Sequence, residues 1–194
     1  MKHMYWLLAL AVGMMCGCDS GGSGGNPAES QPVPGSAASS FSGTYVPAVS
    51  VGGVQLGDTY AAVKAAHGKP DSFTTPSAPQ IGVINYGPTT PWGIQIVFSD
   101  TDGNGQFSDA DTVVGITGSD FNRQGIFKYL SVGTGSTAAE IVARFGQPPA
   151  SSPENLTMEY LTGNGTFIGF GFSGPIGDSG SVANSVDVGT TINK

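Results

Sequence analysis

Past Cys18 this chain contains no cysteine, so whatever folds there has neither a disulfide nor a thiol site. Histidine is almost as scarce: the sequence has two, His3 and His67, and zinc sites need clusters of His or Cys. Basic side chains are few, with seven Lys and Arg against 14 Asp and Glu, for a formal charge of −7. Such a field repels phosphate backbones and argues against nucleic-acid binding. It also supplies no polybasic patch for anionic lipid head groups. Long hydrophobic runs are missing too. The apolar stretch from Met4 to Met15 falls short of the roughly 20 residues that span a bilayer as a helix.

That short stretch follows Lys2 and suits the apolar core of a signal peptide. It ends in Met15-Cys16-Gly17-Cys18, which resembles a lipobox, where a small residue precedes a cysteine that becomes lipidated. Gly17 makes Cys18 the better anchor, and Met15 disqualifies Cys16. Residues 1–17 are therefore expected to be a lipoprotein signal peptide, with a palmitate-type lipid on Cys18. Residues 18–44 (DSGGSGGNPAESQPVPGSAASSFS and its borders) are rich in Gly, Ser, Pro and Ala. They are expected to be a flexible tether reaching on the order of 25–30 Å. This places the protein in the cell envelope, facing the periplasm or the exterior.

From Tyr45 onward the sequence repeats itself. Gly57-Asp58-Thr59-Tyr60-Ala61-Ala62-Val63 and onward to Pro70 aligns without a gap to Gly135 through Pro148. The shared skeleton is G-[DS]-T-x-A-x-[VI]-x-A-x-x-G-x-P. Asp58 and Ser136 or Thr137 can cap a helix, and Thr137 with Glu140 has capping-box spacing. Gly68 and Gly146, each followed by Pro two residues on, stop it. Each segment predicts a helix of about three turns. A second shared block aligns Tyr86–Ser99 with Tyr160–Ser173 as strand, turn and strand, and Thr112–Ile116 and Asn184–Val188 close the halves. The expected class is α+β: two tandem helix-plus-three-stranded antiparallel meander repeats, residues 45–118 and 119–194, with sheets adjacent or continuous.

This order of elements resembles the SmpA/OmlA type of outer-membrane assembly lipoprotein. Two such units in tandem resemble the β-lactamase-inhibitor-protein architecture, in which two halves build one curved sheet. The resemblance covers about Val51–Val188 and implies recognition of a protein partner. The inhibitor proteins usually carry disulfides in their halves, whereas this chain has no cysteine there.

One motif points to a metal. Asp100-Thr101-Asp102-Gly103-Asn104-Gly105-Gln106-Phe107-Ser108-Asp109-Ala110-Asp111 has the spacing of an EF-hand loop. Asp100, Asp102 and Asn104 take positions 1, 3 and 5, and Gly105 takes the sharp turn at position 6. Gln106 would offer its carbonyl, Ser108 its hydroxyl, and Asp111 the final carboxylate. Six oxygens from that spacing suit calcium, a hard cation, in a structural role. The flanks are expected to be strands, which puts the loop at a hairpin tip. The matching loop of the second half, Gly174–Ser181, lacks ligand spacing.

Catalytic constellations are missing. No serine sits in a strand-to-helix nucleophile elbow, and His67 falls at a helix end, where Phe145 stands in the second half. Trp92, Phe121, Phe127 and Tyr129 are expected to pack at the core's edge, with an aromatic binding patch as the alternative. The expectation is a non-enzyme, an envelope module that binds a protein partner. The alternatives are an inhibitor directed at an enzyme and an envelope hydrolase, which would need a deep pocket with two close carboxylates.

Overall fold

The computed structural model describes residues 41–75, 80–87, 92–152 and 156–191, all within the unit Pro32–Lys194. The expected signal segment, Cys18 and the tether up to residue 40 lie outside the described residues. Among the described residues no helix is long and apolar enough to cross a membrane.

Three short strands come first among the described residues: β1 (Tyr45–Val46), β2 (Ser50–Val51) and β3 (Val54–Gln55) form one three-stranded sheet. Helix α1 (Tyr60–His67) follows, then β4 (Ser72–Thr74), β5 (Gln80–Tyr86), β6 (Trp92–Ser99) and β7 (Thr112–Asp120). The second half runs β8 (Lys128–Tyr129), β9 (Val132–Gly133), α2 (Ala138–Phe145), β10 (Ala150–Ser152), β11 (Thr157–Leu161), β12 (Thr166–Phe172) and β13 (Ala183–Thr190). Eight of these strands build one antiparallel sheet in the order β10-β11-β12-β13-β7-β6-β5-β4.

The expected α+β class of helix-plus-three-stranded meanders is therefore overturned: the protein is mainly β. Each helix has eight residues, about two turns rather than three. The cause is in the sequence, since Gly68 and Gly146 end the helices in positive φ (78° and 83°) before Pro70 and Pro148. Strands outgrow their expected lengths through pairing rather than local propensity: β7 runs on through Gly118 and Ser119 to Asp120 against β6, and β13 through Gly189 to Thr190 against β12. Two edge strands, β4 and β10, and the hairpins β2-β3 and β8-β9 were not foreseen at all.

Several local constructions recur in both halves. The hairpin turns use Gly52-Gly53 (φ 69° and 98°) and Leu130-Ser131 (φ 48° and 71°), with positive φ at both central residues as type I′ turns require. Thr59, not Asp58, caps α1, its Oγ1 accepting from Ala62 N at 3.2 Å. Thr137 caps α2 with the full capping box to Glu140. Asp58 accepts instead from Gln55 N (2.8 Å). The Tyr86 hydroxyl donates to Gly68 O at 2.9 Å, and the Tyr160 hydroxyl donates to Gly146 O at 3.0 Å. Both pairs pin a helix end to the sheet.

The helices and small ribbons cover one face of the large sheet. The cross-strand row Tyr86, Ile94, Gly118, Val186, Phe170 and Met158 is buried there. Val51, Val63, Phe127 and Ile141 pack with it in one core. One residue along each strand, side chains point the other way. That row reads Asn85, Gln95, Thr117, Asp187, Gly169 and Glu159. Phe41, which composition assigns to the tether, is buried and stacks on His67 with ring centroids 3.9 Å apart. The packed chain thus begins at or before Phe41.

Candidate metal centre

The acidic loop joins β6 to β7, as a hairpin tip between strands. Its backbone must double back within a few residues, and Gly103 and Gly105 supply positive φ (70° and 71°) at low cost. Their neighbours close the turn through short polar side chains. Asn104 N donates to both Asp100 Oδ1 (3.2 Å) and Asp102 Oδ1 (3.1 Å), so those two carboxylates share one donor. Gly105 N donates to Asp100 Oδ2 at 2.8 Å, and this bond holds the Asp100 carboxyl below the usual carboxylate range. Asn104 Oδ1 accepts from Gln106 N at 2.6 Å.

Asp111 closes the loop from the far side. It is fully buried, and its two oxygens accept from Thr101 N (3.1 Å) and Ser108 N (2.6 Å). One carboxylate oxygen from each of Asp100, Asp102 and Asp111 lies within 4.8 Å of the others, a group that could hold a metal ion. Three carboxylates this close repel one another; backbone N–H groups offset part of that here, and a multivalent cation would offset more.

The other expected ligands lie around this triad with different closeness. Ser108 Oγ is 3.3 Å from Asp102 Oδ2, and Asn104 Nδ2 donates to the same oxygen at 2.7 Å. In this arrangement Asn104 turns its amide nitrogen, not its carbonyl, toward Asp102. The hydrogen bond described for Gln106 is the one from its N–H to Asn104.

The loop is fastened to the fold on two sides. Phe107 turns inward against Tyr60, Phe73 and Phe98, with centroids 4.6, 4.8 and 5.3 Å away. It lies over Gly82, where a Cβ would stand 2.5 Å from its ring. On the other side, the first turn of α1 hangs on loop carbonyls: Tyr60 N donates to Asp111 O and Ala61 N to Asp109 O. Lys64 Nζ pairs with Asp109 at 2.7 Å. The sequence reading missed this Asp109 ion pair, because nothing in the loop's spacing tells which helix it meets.

The loop of the second half contrasts with this one. Ser181 Oγ donates to Gly174 O at 2.7 Å, and Asp178 is its single carboxylate. Among the aromatics read as a patch or as core edge, Phe127 is fully buried and Trp92 packs edge-on against it at 5.9 Å. Tyr129 lies tilted against Tyr45 at 5.8 Å, and Phe121 stays 59% exposed, so no shared patch forms from the four. Sequence reasoning also missed a second pair of carboxylates, Glu159 and Asp187, which flank Gly169 on the sheet face opposite the helices. Both are partly buried, and Gly169 between them is buried. No protein-family model, curated protein or solved structure matches this chain.

Proposed function

We propose that this protein is a lipid-anchored envelope lipoprotein whose domain binds a protein partner. The observation that supports it most is the eight-stranded sheet, one face packed on a core and the other presenting a mixed polar and apolar surface. The lipobox at Cys18 and the Gly/Ser/Pro stretch after it would hold that surface near a membrane, free to meet other envelope proteins. On this reading the domain is not an enzyme: a partner is held, and no bond is made or broken.

Within the same reading the acidic loop binds calcium. Oxygen-only donors at EF-hand spacing suit a hard cation over zinc or copper, which favour nitrogen and sulfur. Because α1, Phe107 and both long strands meet the loop, a bound ion would stiffen the domain without itself contacting the partner. The test is a crosslinked pulldown of the tethered protein from its own envelope, in calcium and in chelator. A specific partner recovered in calcium supports the reading, and no specific partner in either condition overturns it.

A further inference from the structure

The sheet face opposite the helices, which no described element covers, has an ordered chemistry. Its central row runs Asn85, Gln95, Thr117, Asp187, Gly169 and Glu159 across six strands. Gln95 Nε2 donates to Asn85 Oδ1 at 3.1 Å, so the β5–β6 end of the row is satisfied internally. On one side of it lies a second row, Val83, Val97, Gly115, Gly189, Phe167 and Leu161, where Leu161 is 44% exposed. The Phe167 ring lies across Gly189, where a Cβ would stand 2.6 Å away. On the other side are small residues: Ser119, Ser185, Gly171 and Thr157.

Glu159 and Asp187 are on strands separated only by β12, and the residue between them is Gly169. A Cβ at Gly169 would stand 3.4 Å from Asp187 Cβ and 3.9 Å from Glu159 Cγ, so both side chains line the gap the glycine leaves. Neither carboxylate has an ion pair among the described residues, and every described Lys, Arg and His lies on a helix or in a loop, or, for Lys128, in the separate β8-β9 ribbon. The neighbours facing Asp187 are Thr117, Ser185 and Glu159, two hydroxyls and a second negative charge. Burial pushes the carboxyls of both Asp187 and Glu159 up, and Glu159 raises Asp187 further. The pair thus holds charge without a counter-ion among the described residues.

We infer that the outer sheet face docks a partner protein that presents an arginine side chain over Gly169, between Glu159 and Asp187. Charge complementarity selects the cation. A guanidinium offers five N–H donors in a plane, enough to serve two carboxylates at once, which a lysine ammonium does less well. The Phe167–Leu161 row beside it takes the apolar neighbours of that arginine. Removing water from the pair is costly unless the cation fills it, so a neutral side chain is rejected. The inference rests on the partner-binding reading and specifies its surface and chemistry.

The probe is a short peptide with one arginine between leucine and threonine neighbours, and the same peptide with citrulline, arginine's neutral isostere. Titration of the full chain, followed by amide NMR shifts, is expected to move Thr117, Gly169 and Ser185 with the arginine peptide. Binding is expected to weaken at least tenfold with citrulline, and at least tenfold in the Glu159→Gln/Asp187→Asn double variant. It is also expected to weaken as pH falls from 7 to 5, where Asp187 takes up its proton. Glu159→Lys supplies the cation from within, so it abolishes peptide binding while the melting temperature is kept or raised. Equal binding of both peptides, shifts confined to the Asp100–Asp111 loop, or calcium displacing the peptide from Gly169 would each overturn the inference. In the pulldown, a partner recovered equally by wild type and the double variant refutes this surface and leaves partner binding standing. Recovery of no partner by wild type refutes the broader reading, while the peptide titration still decides the arginine site.

Discussion

Asp187→Asn should make this protein more stable at neutral pH, an unusual result for removing a charge from a folded sheet. The Asp187 carboxyl is pushed up from 3.8 to about 6, first by burial and then by Glu159. Its proton is therefore held more tightly in the folded state than in the unfolded one. Stability from this group is fully present below about pH 4 and is lost as pH rises through about 6. The full rise corresponds to ~3 kcal/mol. Asp187 is only partly shielded by surface area, so water screens some of that, and ~1–3 kcal/mol is the working range. Asparagine keeps the shape and cannot ionise. The assay is thermal unfolding of both proteins from pH 3.5 to 7.5. The curves should nearly meet at the acid end and separate by roughly 3–10 °C at pH 7.5, given ~2–4 °C per kcal/mol for a domain of this size. Parallel curves across the whole range would refute the burial argument and weaken the case for an uncompensated pair on the outer face.

Three further outcomes can be checked by the same unfolding assay. Asp111→Ala in chelator leaves the N–H groups of Thr101 and Ser108 without their acceptor, at a cost of ~2–4 kcal/mol before any metal is considered. Tyr86→Phe and Tyr160→Phe each remove one hydroxyl bond to a helix-ending glycine carbonyl, and each should cost ~1 kcal/mol. Tyr45→Phe should leave stability unchanged or raise it, because the buried Tyr45 hydroxyl has no hydrogen-bond partner among the described residues.

Much of the local structure is legible in the sequence because its signals are short-range. The Thr137–Glu140 capping box, the stops at Gly68 and Gly146, and the strand Thr166–Phe172 all follow from neighbouring residues. The acidic loop is legible for the same reason, since twelve consecutive residues set its geometry. The fold class was misjudged where pairing depends on distant partners. Strand β10 (Ala150–Ser152) shows no apolar alternation and exists through its backbone bonds to β11. The Leu130-Ser131 turn carries no glycine to announce its positive φ, unlike Gly52-Gly53. Glu159 and Asp187 each read as outward positions on a strand. Only the register through Gly169 makes them neighbours, and register between strands is not written in either segment alone.

The acidic loop is where sequence spacing and geometry meet, and calcium titration of its stability tests it most directly. If the loop takes calcium with an affinity of about 10⁻⁴–10⁻³ M, as extracellular calcium modules do, 10 mM calcium is expected to stabilise the fold by about 1.4–2.7 kcal/mol. Wild type should therefore melt roughly 3–10 °C higher in 10 mM calcium than in chelator. Asp102→Ala, which removes an exposed carboxylate of the triad, should show no calcium response. An unchanged melting temperature in wild type and Asp102→Ala alike would contradict the metal centre.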